Sequence, residues 1–166
     1  MIAFASILTL PRGSLARMLK DAYSFDPRCI KCWGENWRAY DDFFFDHPAI
    51  AETCGFVTVF SGVPVGHITW DPRNLPARAI LGHNCILTAY KGQGLGGAQL
   101  REAVRRIAAR GAERIDVTTS EMLIAAQRNY ESAGFRRIGT RPSAEEDAFA
   151  GRLIDYTMTR QEGSYA

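Results

Sequence analysis

Long apolar runs, runs of one charge and paired cysteines are all scarce in this chain. No apolar stretch approaches the roughly 18 residues of a membrane-crossing helix, so no membrane partner is expected. Lys and Arg total 20 against 18 Asp and Glu, interspersed rather than in blocks, and the net charge is +2. That balance leaves no basic stripe for nucleic acid. Of the 4 cysteines only Cys29 and Cys32 have the Cys-x-x-Cys spacing of zinc and redox sites. Zinc would require a second ligand pair, and Cys54 and Cys85 stand apart. A thioredoxin-like pair would open a helix after a strand, whereas this one precedes Trp33-Gly34 in a helical region. Free thiols in a reducing cytoplasm, and no metal, are the expectation. The apolar start, Met1 to Leu8, has no basic residue before it and is stopped by Pro11-Arg12-Gly13, so no signal peptide is expected. With no repeat or low-complexity linker, the 166 residues read as a single domain over 1–166 with a substantial core.

What the chain does have is glycine in one place. Lys91-Gly92-Gln93-Gly94-Leu95-Gly96-Gly97 holds 4 glycines in its last 6 positions, after the apolar run Ile80–Leu87 and before the amphipathic run Ala98–Arg110. The reading is strand, tight turn, helix. Glycine lets such a turn close and lets a ligand approach the main chain. The N–H groups opening the helix lack intrahelical acceptors and sit at the positive end of its dipole. A pyrophosphate suits that place.

The flanks narrow the ligand. An ATP-type loop ends Gly-Lys-Ser or Gly-Lys-Thr, and this one ends Gly-Gly-Ala. From Gly92 the run is Gly-x-Gly-x-Gly-Gly, and the better description is a basic residue, two residues, glycine, one residue, glycine: Lys91, Gly94, Gly96. Following a strand that ends Asn84-Cys85-Ile86-Leu87, it resembles the acetyl-CoA loop of the GCN5-related N-acetyltransferases (GNAT). The resemblance implies an α/β (mixed α+β) fold, with a central, mixed, mostly antiparallel sheet of six or seven strands and about four flanking helices. It also implies acetyl-CoA as co-substrate, its phosphates on Lys91, Gly92, Gln93, Gly94, Leu95, Gly96 and Gly97. The pantetheine arm would pair with the main chain of Asn84, Cys85 and Ile86.

Elements elsewhere agree with that fold. Ala3–Leu10 reads as a strand. Ser14 can cap a helix with Leu15, Met18, Leu19, Ala22 and Tyr23 on one face, ended by Asp26-Pro27. Glu35–Phe45 reads as a second helix, with Trp37, Tyr40 and Phe44 on one side. Gly55–Phe60, Pro64–Trp70 and Ala77–Leu87 form a meander. Helix Ala98–Arg110, strand Glu113–Thr119, helix Met122–Ser132, and strands Phe135–Thr140 and Leu153–Thr159 follow. The apolar last strand could pair across a homodimer.

The last helix carries a second point of likeness. Members of the family commonly have an alanine four residues before a tyrosine, then Gly-Phe after it, and Ala126, Tyr130, Gly134 and Phe135 occupy those places. Three positions depart. Leu123 stands where an asparagine is frequent, Lys91 replaces arginine or glutamine, and the strand holding Asp116 has no glutamate at the matching place.

The implied reaction is direct transfer of acetyl from the thioester to a primary amine, with Tyr130 as the acid that protonates departing thiol. His83 is one candidate base; Glu35 or Asp71 acting through water are others. The acceptor expected is a small-molecule amine, aminoglycoside-like or polyamine-like. Glu35, Trp37, Trp70 and Asp71 belong to an aromatic and acidic set, with Asp41, Asp42 and Asp46, that could face a cation or equally be core and solvated surface. A non-catalytic acyl-CoA sensor and an enzyme for a protein amine stay open, because fold and cofactor do not determine the acceptor.

Overall fold

A computed structural model describes residues 1–160. The strands, in chain order, are β1 (Ile2–Ala5), β2 (Gly55–Phe60), β3 (Val63–Asp71), β4 (Ala79–Ile86), β5 (Arg114–Ser120), β6 (Arg136–Arg141) and β7 (Leu153–Thr159). The helices are α1 (Ser14–Ala22), α2 (Pro27–Asp46), α3 (Pro48–Thr53), α4 (Leu95–Ala109) and α5 (Ile124–Ser132). The seven strands run in the order β1-β2-β3-β4-β5-β7-β6. Of the pairings described, β1 with β2, β2 with β3, β5 with β7 and β6 with β7 are antiparallel, and β4 with β5 is parallel. This is the mixed, mostly antiparallel sheet with helices that the sequence implies.

The chain forms two compact units. The first comprises Met1–Thr69 and His83–Gly96, the second Trp70–Gly82 and the chain from Gly97. Each unit therefore draws on separated stretches of sequence, and β3, β4 and α4 run from one into the other.

Within the first unit, the start of the chain differs from expectation. Ala3–Leu10 is not one strand: β1 ends at Ala5 and Ile7–Thr9 make a 3-10 turn, because Ser6 Oγ accepts the Leu8 N–H and curls the backbone. Ile7 is thereby buried with Leu15, Phe44, Ala51 and Val57. Ser14 does not cap α1 either. The carboxylate of Asp41, 1% exposed, accepts the N–H groups of Gly13 (2.6 Å), Leu15 (2.8 Å) and Ala16 (3.2 Å). A negative charge at the positive end of the α1 dipole, satisfying three otherwise orphaned donors, is a stronger cap than a hydroxyl. The second helix is longer than the sequence suggested: Asp26 caps it through the Arg28 N–H and Pro27 occupies its first turn, so Asp26-Pro27 ends one helix and starts the next. Cys29 and Cys32 thus lie in the first turns of α2, one buried and one exposed.

Within the second unit, β5 and β7 pair over their whole lengths, Arg114↔Thr159 to Ser120↔Leu153. β6 pairs with the other edge of β7. The last strand is therefore interior and has no edge to offer a second copy, which corrects the expectation of pairing there. The exposed edge is β6, all six residues of it exposed, with a register shift between Arg137 and Gly139. Arginines and a bulge are a usual protection for such an edge. Among the described residues no helix is long and apolar enough to cross a membrane.

Candidate active site

The glycine loop begins where β4 ends. The parallel register between β4 and β5 covers Ala79↔Ile115 and Ile80↔Asp116, at the start of β4, so the half of β4 that carries Asn84, Cys85 and Ile86 lies beyond that ladder. After a 3-10 turn over Thr88–Tyr90, Gly92 and Gly94 take φ of 78° and 76°. That left-handed region favours glycine, and a Cβ at either position would meet nothing within 4 Å. The glycines here meet a conformational need and leave open space beside the main chain. Helix α4 then starts at Leu95 with no acidic residue in its first turn. Open space beside the glycines and no acidic residue in the first turn of α4 fit the pyrophosphate of a coenzyme A thioester.

Two residues not singled out from the sequence lie beside Gly97, in the first turn of α4. A Cβ at Gly97 would lie 3.2 Å from a guanidinium nitrogen of Arg101 and 3.6 Å from Asn129 Oδ1. Arg101 is one turn along α4 from Gly97, a spacing that could have identified it. Asn129 belongs to α5 and only tertiary structure brings it here. Its neighbour in sequence, Tyr130, is 4% exposed and packs against Phe135 and Tyr156, both with ring centroids 5.8 Å away. Gly134 takes φ of 96° and ends α5 as the sequence implied, while the Phe135 N–H reaches back to the Tyr130 carbonyl (3.0 Å).

Lys91 is placed differently from its expected role at a phosphate. Its ammonium donates to the Ala22 carbonyl at the end of α1 and lies 5.4 Å from the centre of the Phe25 ring. Partial burial lowers its pKa, opposed by the charge of Asp21.

His83 lies in a cluster within the first unit that sequence reading did not assemble. Tyr40 on α2 meets the His83 ring edge-on at 4.5 Å between centroids and stacks on His67 at 5.9 Å. Its hydroxyl shares a hydrogen bond with Thr69 Oγ1 (2.9 Å), and Cys85 Sγ lies 3.4 Å from His67 Nδ1. Burial lowers His83 to about 4. Burial, then the nearby His83, lowers His67 to about 3. Burial raises the Cys85 thiol to about 12. The cluster is therefore uncharged at neutral pH. Cys85 and His67 are a neutral thiol–imidazole pair, not the ion pair of a cysteine nucleophile.

The aromatic and acidic wall is largely dismantled. Trp37 and Trp70 are 2% and 4% exposed, so they are core residues rather than a surface for a cation. Trp37 packs on Tyr23 and Trp33. Asp41 is the α1 cap, and Asp42 and Asp46 pair with Arg12. Asp71 holds Arg73, which lowers its pKa. Asp116 pairs with Arg78 and Arg114 and accepts from Thr157. Glu35, also on α2, is exposed. Among the described residues no group of three or more His, Cys, Asp or Glu could hold a metal ion.

Comparison with known proteins accords with the geometry. The family model described as Acetyltransferase (GNAT) family matches residues 16–135. A proposed acetyltransferase of that family from Desulfovibrio desulfuricans has the same fold at 20% identity and a TM-score of 0.76, over 96% of this chain and 99% of that one. The ribosomal-protein-S18-alanine N-acetyltransferase of Escherichia coli matches at 19% identity and a TM-score of 0.70, over 96% and 94% of the two chains. A GNAT family acetyltransferase from Elizabethkingia anophelis with acetyl-CoA bound matches at 14% identity and a TM-score of 0.68, over 95% and 97%. A search of curated protein sequences gave no significant match. A family match that spans most of the chain and ends at Phe135, just past Tyr130, leaves one conclusion: the chain belongs to the GNAT family, the acetyl-CoA-dependent N-acetyltransferases.

Proposed function

We propose that this enzyme moves the acetyl group of acetyl-CoA directly to a primary amine of a small molecule, with Tyr130 as general acid. One observation carries the assignment of Tyr130: it is the immediate neighbour of Asn129, which lies against Gly97 in the first turn of the helix that follows the glycine loop. The loop residues Gly92 to Gly97 hold the pyrophosphate through main-chain N–H groups, and the main chain of Asn84, Cys85 and Ile86 receives the pantetheine arm.

The chemistry sets what each group must do. A free amine attacks the thioester carbonyl carbon, a carbon–nitrogen bond forms, and the carbonyl oxygen takes the negative charge, which a main-chain N–H stabilises. Collapse breaks the carbon–sulfur bond. The departing thiolate takes the phenolic proton of Tyr130, and the nitrogen gives up its extra proton to a base. His83 is neutral above about pH 4 and so can accept it, although an imidazole of so low a pKa holds the proton only briefly. Glu35 or Asp71 through water are the other acceptors. The four cysteines are free, which favours a cytoplasmic location.

A peptide amine is the second reading. The Escherichia coli neighbour is named for acetylating an alanine of ribosomal protein S18, and another similar structure is a NatC complex bound to Gag peptide and CoA. One experiment addresses both. Acetyl-CoA should raise the unfolding temperature by mass action on the folded state. The double variant Gly94→Asp/Gly96→Asp should lose that shift. Free thiol should then appear with a panel of polyamines, aminoglycosides and short peptides only where the acceptor fits. Stabilisation without thiol release from any amine would identify a sensor. Stabilisation that survives in the double variant would remove the loop from the site.

A further inference from the structure

Glycine gives the loop its shape but no rigidity, since Gly92 and Gly94 touch nothing beside their Cα atoms. A loop of that kind loses much conformational entropy when it closes on a ligand, unless something already holds it. The structure shows what does. At the end of α1 the Asp21 carbonyl accepts the Ser24 N–H (3.1 Å) and has room for a second donor, the Ala22 carbonyl follows it, and the helix dipole makes that end negative. Thr88, at the entrance to the loop, uses both its donors there: its N–H reaches Asp21 Oδ1 (2.6 Å) and its hydroxyl reaches the Asp21 carbonyl (2.8 Å). Three residues on, the Lys91 ammonium takes the Ala22 carbonyl. Between them the 3-10 turn closes through Tyr90 N–H to Leu87 O (2.9 Å), and Leu87 is tied to Val65 (2.7 Å).

We propose that Asp21 and Lys91 are positioning residues, a latch that fixes the entrance of the glycine loop on the end of α1 so that its N–H groups are aligned before acetyl-CoA arrives. This rests on the assignment of the loop as the pyrophosphate site. It gives Lys91 a different task from touching a phosphate, and it enlists a carboxylate 70 residues upstream of Lys91 that no loop motif includes. Asp21 also raises the Lys91 pKa against the effect of burial, so the two support each other electrostatically.

The test uses Asp21→Ala, Asp21→Asn and Lys91→Met in the whole chain. Without ligand, amide deuterium exchange across residues 88–95 should accelerate in Asp21→Ala and Lys91→Met, with the rest of the protein unchanged. Acetyl-CoA affinity, read by calorimetry, should fall about 3- to 10-fold in each, the range set by one or two lost hydrogen bonds. The double variant should fall by less than the product, since one latch is broken once. Asp21→Asn keeps an acceptor for the Thr88 N–H and should recover most of the loss. Unchanged exchange across 88–95 overturns the latch. So does a loss of affinity confined to Lys91→Met, which would put the ammonium on a phosphate. Failure of the loop assignment has its own signature: Gly94→Asp/Gly96→Asp would bind acetyl-CoA at full affinity, whatever the exchange rates show.

Discussion

Tyr130 on α5 and Tyr40 on α2 are both tyrosines packed among aromatic rings, yet their surroundings differ in kind. Tyr130 sits in the last turn of a short helix, whose end leads through Ala133 to the left-handed Gly134 and the buried Phe135, and its neighbours Phe135 and Tyr156 are apolar or phenolic rings. Tyr40 sits inside a long helix, its hydroxyl on Thr69 and its faces toward two histidines. Burial holds the Tyr40 phenol well above the ordinary tyrosine value, and its hydroxyl is engaged by Thr69. What sets Tyr130 apart is its place next to Asn129, which lies against Gly97 in the first turn of α4.

Breaking the comparison at its catalytic end should give the largest effect. Tyr130→Phe keeps the ring and removes only the hydroxyl. Turnover should fall about 10²- to 10⁴-fold, the range for a general acid, with acetyl-CoA affinity little changed. A donor whose thiol has a lower pKa should recover part of the loss, because that leaving group needs less help. Tyr40→Phe should leave turnover within a few-fold and cost about 1 kcal/mol of stability for the bond to Thr69. Steady-state rates on one verified amine decide it: equal losses in the two variants would mean that neither hydroxyl is the acid.

The end of α5 and, separately, the glycine loop were legible because their signals are local. Helix-ending glycine, the glycine turn and the strand before it each depend on residues within about one turn of each other, and Gly92, Gly94 and Gly134 all take the left-handed backbone their positions called for. Around Tyr40 the sequence reading was poorer, for a physical reason. An aspartate's partners are set by tertiary structure, so Asp41, Asp42 and Asp46 looked alike in sequence. In the structure the first is a buried cap and the others are surface ion pairs. Trp37 and Trp70 had the composition of a binding wall and the burial of a core. Lys91 was expected to reach a phosphate; its ammonium here donates to the Ala22 carbonyl at the end of α1.

Asp41 allows that lesson to be measured. Asp41→Ala leaves three N–H groups of α1 without an acceptor and a void beneath them. It should cost about 3 kcal/mol by urea unfolding, more than an ordinary surface cap, since one donor lost inside a protein already costs about 1–3 kcal/mol. Asp42→Ala, at an exposed ion pair, should cost under about 1 kcal/mol. Matching losses at the two positions would mean that the cap geometry contributes nothing beyond surface charge.

The remaining effect, absent at neutral pH, concerns the two histidines beside Tyr40, and it has a definite sign. Their folded pKa values, about 4 for His83 and about 3 for His67, lie below the ordinary value near 6.5 that an unfolded chain would show. Above pH 6.5 both are neutral in either state and stability does not depend on them. As pH falls below 6.5 the unfolded chain gains protons that the folded one refuses, so stability drops down to each folded pKa. At pH 5 the penalty is about 2 kcal/mol for each histidine, from 1.5 pH units at about 1.4 kcal/mol per unit. His83→Gln and His67→Gln should each flatten the fall in urea midpoint between pH 6.5 and 5, whatever they do to stability at pH 7.5. Activity should behave differently across that range. Because His83 is already neutral there, the loss of turnover on acidification should follow the proton on the amine substrate, and its midpoint should move with the pKa of the amine chosen. A midpoint that stays near 6.5 for amines of different basicity would show that His83 titrates as an exposed imidazole, and that Tyr40 does not shield it.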